Sequence, residues 1–196
     1  MATLEHIINI AKNNNGIVTS AMVANAGFSR GNIQYLVDNG NLQKSARGVY
    51  LLPEVWDDDF FNMQNRFKRG IFSLETALFL WDLTDKTPHI LTMTFPSSYN
   101  ITKAKTEVRC VQCKEPLYSI GITQQKSPSG NILSVYNVER TLCDILRPGN
   151  SVDIQIISDS FKRYASKKDK NIPLLSEYAK ELKVEQKLRS YLEVLL

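Results

Sequence analysis

A chain of 196 residues with 43% hydrophobic side chains has the composition of an ordinary globular protein and room for two modest domains or one larger one. Its net charge of +4 is mild, so bulk attraction to a polyanion is weak and any such binding has to come from the local placement of cations. No apolar run approaches the roughly 20 residues that span a bilayer, and Glu5, His6 and Asn9 interrupt the stretch where a secretory leader has its apolar centre, so a membrane class is excluded and a cytoplasmic protein is expected.

Leu4, Ile7, Ile8 and Ala11 recur at helical spacing, and Asn13-Asn14-Asn15-Gly16 stops that helix with residues that favour turns. Ile17-Val18 follows as a short apolar segment. Thr19 and Ser20 each offer an acceptor to the free amides of a new helix, which continues through Ala21, Met22, Val23, Ala24 and Ala26. Gly27 closes it, because glycine takes up left-handed backbone without a steric penalty. Ser29 caps a third helix, in which Ile33, Leu36 and Val37 share one face and Gly31, Asn32, Gln34, Tyr35 and Asp38 lie around the other, with Arg30 in the first turn. After Asn39-Gly40, the runs 42–45 and 48–52 read as two strands flanking Ala46-Arg47, a connection short enough for a tight turn in which Gly48 supplies unusual torsion angles.

Three helices and a hairpin in this order predict a winged helix-turn-helix over residues 3 to 52. Asn and Gln match the donor and acceptor of adenine in the major groove, Arg matches guanine, and Gly31 lets the backbone approach closely. Lys44 and Arg47 project from the hairpin, where cations neutralise phosphates beside the groove. Of the cations in this region, Lys12, Arg30, Lys44 and Arg47, all but Lys12 belong to the third helix or the hairpin. The competing reading is an amphipathic helix with a solvated face and a hairpin carrying cations for solubility.

The passage Ile33-Gln34-Tyr35-Leu36-Val37-Asp38-Asn39-Gly40-Asn41-Leu42-Gln43-Lys44-Ser45-Ala46-Arg47-Gly48-Val49-Tyr50 resembles the helix-to-wing segment of the AbiEi family, antitoxins of type IV toxin-antitoxin (abortive infection) systems. Tyr136-Asn137-Val138-Glu139-Arg140-Thr141-Leu142-Cys143-Asp144-Ile145-Leu146 resembles that family's downstream helix, with its Glu-Arg pair and Asp. The resemblance implies a bacterial, phage-defence protein of two domains: a winged helix-turn-helix that represses its own operon by binding inverted repeats in promoter DNA, and a C-terminal domain that counters a nucleotidyltransferase-like toxin without a stable complex. It assigns DNA-facing roles to Ser29, Arg30, Asn32, Gln34, Tyr35, Lys44 and Arg47, to which the helix start at Thr19 and Ser20 is added. The wing departs from the family in its short basic run, Lys44-Ser45-Ala46-Arg47.

Pro53-Glu54-Val55-Trp56-Asp57-Asp58-Asp59 breaks the hairpin with proline and then adds acid, which places the domain boundary near residue 54 and gives domains 1–54 and 55–196. Phe60, Phe61, Met63 and Phe67 suit a helix with an aromatic face. Leu74, Ala77, Leu78 and Trp81 line another, with Ser73 as its cap. Strands are expected at 90–95, 108–111, 118–123 and 132–135, punctuated by Pro96, Pro116, Pro128 and Gly130. A helix over 138–146 follows, then one over 152–165 with Ile154, Ile157, Phe161 and Tyr164 on its apolar face, and two more at the end. The expected class is α+β: a winged helix-turn-helix and then an α/β domain with a mixed sheet and terminal helices.

Catalytic chemistry is thinly represented. Cys110 and Cys113 have the gap of a zinc pair but lack a second pair, and the alternation around them reads as a strand in which cysteine is a small apolar residue; no metal or cofactor is expected. Glu139, Arg140 and Asp144 read as an ion-paired support of the fold ahead of an active site, and no nucleophile lies beside a histidine base. The cluster Lys162, Arg163, Lys167, Lys168 and Lys170 is either a solvated helix exit or a contact for nucleic acid or an acidic partner. Besides the repressor and antitoxin, two readings stay open: a protein-protein interaction module, and a lone transcription factor.

Overall fold

The structure, a computed structural model, describes residues 2–195. The chain forms two compact units, Met1–Lys68 with Lys126–Ile132, and Arg69–Gln125 with Leu133–Leu196. The sequence expectation ends the first domain at residue 54.

In the first unit the order is α1 (Ala2–Lys12), β1 (Ile17–Thr19), α2 (Ser20–Asn25), α3 (Arg30–Asp38), β2 (Gln43–Ala46), β3 (Val49–Leu51) and α4 (Asp59–Arg66). The apolar faces close on one another: Ile7 and Ala11 of α1, Val18 of β1, Val23 of α2, and Ile33 and Leu36 of α3 form one buried cluster with Leu42 and Leu52. The three strands make an antiparallel sheet in the order β1-β3-β2, with Ile17 opposite Leu51 and Lys44 opposite Tyr50. A bulge between Lys44 and Ala46 bends the edge strand. Gly27 and Gly48 sit at φ +81° and +76°, as turns without a Cβ allow.

The acidic run after Pro53, expected at the domain boundary, has defined partners. Asp58 caps α4 by accepting from Phe61 N at 3.1 Å, and its other oxygen accepts from Ser127 Oγ at 2.5 Å and Asn131 Nδ2 at 2.7 Å. Asp57 accepts from Ser45 Oγ at 2.6 Å and Asn62 Nδ2 at 2.8 Å, which ties β2 to α4. These bonds explain why this unit extends beyond residue 54 and includes 126–132.

The second unit contains β4 (Ile71–Phe72), α5 (Leu74–Leu80), β5 (Thr92–Pro96), a 3-10 turn (Ala104–Thr106), β6 (Arg109–Cys113), most of β7 (Ile122–Lys126) and β8 (Ile132–Tyr136), then α6 (Val138–Leu146), α7 (Ile154–Ser166), α8 (Ile172–Glu181) and α9 (Glu185–Leu195). Its five-stranded sheet runs β6-β5-β4-β8-β7 and is mixed: β4 is antiparallel to β5 and parallel to β8, and β5 is parallel to β6. The helices bury Leu74, Leu78, Leu142, Ile145, Phe161, Leu175 and Leu188 in one cluster. The expected α+β composition with a mixed sheet and terminal helices is what the chain adopts.

Three local expectations change, and one short strand was not expected. The strand expected at 118–123 lies at Ile122–Lys126, because residues 116–121 turn instead: Pro116 has no amide to donate, Gly121 has φ +78°, and Tyr118 is buried with its hydroxyl donating to Arg69 O at 2.6 Å. Ser73 precedes α5 without capping it; its hydroxyl accepts from Thr94 Oγ1 at 2.9 Å. Ile154, expected on a buried face, is exposed in the first turn of α7, while Ile157, Phe161 and Tyr164 are buried. The two-residue strand β4 is too short to have a period of its own.

Candidate nucleic-acid interface

The surface built by α2, α3 and the β2–β3 hairpin begins with two capping bonds. Thr19 Oγ1 accepts from Met22 N at 3.2 Å and starts α2; Ser29 Oγ accepts from Gly31 N at 3.2 Å and starts α3. With Ile33 and Leu36 buried beneath, α3 turns Arg30, Gln34 and Tyr35 to solvent, and Tyr35 is 55% exposed. Asn32 is half-buried. Gln34 Nε2 donates to Asp38 Oδ1 at 2.8 Å along the helix, which holds the amide in one orientation while the carbonyl oxygen remains an acceptor.

Lys44 and Arg47 are both exposed on the hairpin. The turn that carries Arg47 lies against the start of α2, since Ser20 N donates to Gly48 O at 2.9 Å. A Cβ built on Gly48 would stand 3.5 Å from Ser20 Oγ, so the turn and the helix start are close neighbours. Ser20 and Arg47 are thereby brought together on one surface. Thr19 is not part of that surface: it is 4% exposed and its hydroxyl oxygen is occupied by the cap, so it shapes the helix start. Sequence reading overlooked Asp57 and Asn62, which hold the hairpin strand through Ser45; Asn62 Nδ2 donates to Ser45 Oγ at 2.9 Å. The sequence signalled only that Asp58 could cap a following helix; nothing local pointed from Asp57 and Asn62 to Ser45.

In the second unit the candidate residues of α6 are buried. Arg140 is 1% exposed; its Nε donates to Asp144 Oδ2 at 2.9 Å, its Nη1 donates to Leu117 O and Ile120 O at 2.5 and 2.8 Å, and its guanidinium lies 4.4 Å from the centre of the Tyr136 ring. Burial opposes the Arg140 charge, but Asp144 and Tyr136 outweigh it and the pKa is raised. Burial likewise pushes the Asp144 carboxyl up, against the pull of Arg140 and Arg147. Glu139 does not join this pair. It accepts from Tyr164 Oη at 3.1 Å and Asn171 N at 3.3 Å, tying α6 to α7 and the start of α8. The thiol of Cys143 is pushed up to about 12 by burial. All three cysteines are free, and among the described residues no group of three or more His, Cys, Asp or Glu side chains is placed to hold a metal ion. Among the described residues no helix is long and apolar enough to cross a membrane.

The lysine cluster divides. Arg163 pairs with Asp85, Lys162 Nζ stands 3.7 Å from Asp159 Oδ1, and Lys170 Nζ donates to Lys167 O at 3.1 Å. Lys168 is exposed.

The class defined by these features is an α+β protein whose first unit exposes the polar face of a capped helix and a hairpin carrying Lys44 and Arg47. Residues 5–53 match the model of a family described as transcriptional regulator, AbiEi antitoxin, so the resemblance read from residues 33–50 is sustained by an independent match across the whole of this surface. No curated protein matches the chain. In fold it is similar to the crystal structure of RV2827C protein from Mycobacterium tuberculosis, at a TM-score of 0.50 and 13% identity over 97% of this chain and 82% of that one. That likeness concerns the fold alone.

Proposed function

We propose that residues 1–54 are a winged helix-turn-helix that binds double-stranded DNA, and that the protein is a cytoplasmic, bacterial repressor of its own operon as well as an antitoxin. The observation that carries this reading is the joint exposure of Arg30, Gln34 and Tyr35 on α3 and of Lys44 and Arg47 on the hairpin, with Ser20 beside the hairpin turn. In the element order α1-β1-α2-α3-β2-β3, α3 is the helix that enters the major groove and the β2–β3 hairpin is the wing. Arg30 and Gln34, with half-buried Asn32 at the edge, read bases; Ser20, Ser29, Lys44 and Arg47 contact phosphates. The modest total charge fits a binder that depends on where its cations stand.

Residues 55–196 are proposed as the antitoxin domain of a type IV, phage-defence system, opposing a nucleotidyltransferase-like toxin without catalysis of its own. The family match over the first unit, which joins regulator and antitoxin in one description, supports this. A mobility-shift assay tests the DNA reading: the chain is expected to retard its upstream promoter DNA ahead of random DNA of equal length, and to bind inverted repeats there with a steep salt dependence. Equal affinity for both DNAs would favour the interaction-module reading. Rescue of cells expressing the adjacent toxin gene tests the antitoxin role, and a repressor that fails to rescue is a lone transcription factor.

A further inference from the structure

In the second unit a cavity of about 630 Å³ opens between the segment 84–90, the start of β5 and α7. That volume lies in the range of small-molecule sites. Two charged groups in its wall already satisfy each other. Arg109 Nη1 donates to both oxygens of Glu75, at 3.2 and 3.3 Å, and Nη2 donates to Asn150 O, so this part of the wall is close to neutral and held in place.

The charge left to attract a ligand is Lys86, which is exposed on the same rim as His89. Thr84 Oγ1 accepts from Lys86 N at 3.2 Å, which shapes the rim and leaves the hydroxyl proton to donate. Thr87, in the same wall, adds a second hydroxyl. The same wall holds Pro88, Ile90 and Ile156, and Ile90 is 63% exposed, so covering it with a ring removes apolar surface from water.

We propose that this cavity binds a small phosphorylated molecule with a planar ring, of the class of a purine mononucleotide. The phosphate lies against Lys86, His89 and the Thr87 hydroxyl; the ring lies on Ile90 and Ile156. The ammonium of Lys86, the imidazole of His89 and the hydroxyl of Thr87, carried on four consecutive residues of the lining, offer several donors to a tetrahedral dianion with several acceptor oxygens. The site shares no residue with the proposed DNA surface and stands whether or not that reading does.

The test uses the full chain with labelled isoleucine methyls, titrated separately with AMP, adenosine and inorganic phosphate. AMP is expected to shift the Ile90 and Ile156 methyls saturably and to bind more tightly than either fragment. Lys86→Ala, an exposed change outside the core, is expected to weaken AMP about tenfold, the loss of one phosphate contact, with the fold unchanged. Ile90→Ala is expected to weaken AMP and leave phosphate unaffected. The proposal is overturned if millimolar AMP leaves both methyls unmoved, if Lys86→Ala binds AMP as the parent does, or if phosphate alone binds as tightly as AMP.

Discussion

Arg47 in the first unit and Arg140 in the second carry the same guanidinium group in opposite surroundings. Arg47 stands in solvent on a two-residue turn. Arg140 is sealed among a carboxylate, two carbonyls and an aromatic ring. An exposed guanidinium keeps its donors for a partner and adds little to stability, whereas a buried one spends them on the fold and leaves a large penalty if a partner is removed. The same contrast separates α3 from α6: one shows a polar face to water, the other buries Glu139, Arg140 and Asp144.

The largest expected effect tests the buried side. Arg140→Ala leaves Asp144 Oδ2 and two carbonyls without their donor, and should destabilise the second unit by about 3–5 kcal/mol in chemical denaturation. A loss below about 1 kcal/mol would erase the contrast.

Next comes the exposed side. Arg30→Ala should weaken promoter binding by about 1–3 kcal/mol while changing stability by less than about 0.5 kcal/mol. Arg47→Ala should weaken all DNA sequences alike and lower the salt slope by about one. Reversal of these two patterns would exchange the proposed roles of helix and hairpin.

Alkali sharpens the comparison further, because Cys143, Tyr136 and Tyr164 are all held neutral by burial in the second unit. Each has a folded pKa above its unfolded one. Their contribution is therefore complete below the ordinary values and is lost as pH rises, beginning near pH 9 for the thiol and continuing toward about 12. Denaturation midpoints of the second unit should fall over that interval, by about 1.4 kcal/mol per pH unit for each fully engaged group.

The smallest expected effect is local. Ser29→Ala removes the cap of α3 and should destabilise the first unit by about 1 kcal/mol, read as a lowered melting temperature. Ser73→Ala, by contrast, removes no cap from α5 and should act through its lost bond with Thr94.

Capping explains how far the sequence could be read. Thr19 and Ser29 cap the helices they precede, because a cap needs only a side chain and an amide two or three residues ahead. Ser73 stands in an equally promising place, yet its partner is Thr94, twenty-one residues away, and no local rule points there. Tyr118 looked like a strand residue by type, but its hydroxyl reaches Arg69 O and the chain turns around it. The run Asp57-Asp58-Asp59 marked a domain boundary in the sequence, yet Asp58 is buried there with Ser127 and Asn131 as partners. On the proposed interface, exposure of Arg30, Gln34, Tyr35, Lys44 and Arg47 followed from helical and strand periodicity, while burial of Thr19 did not.

The amino-acid order by itself settled the three helices and the hairpin of the first fifty residues, their caps, their glycine turns and the polar face of the third helix, since each depends on groups within a few positions of one another; that Ile17–Thr19 pairs as a third strand took the fold. Tertiary structure alone decided that Arg140 is structural, that Glu139 parts from it to meet Tyr164, and that a cavity opens beside Lys86 and Ile90. Those outcomes depend on which distant groups share a water-poor space, and desolvation is a property of that space, not of the local sequence.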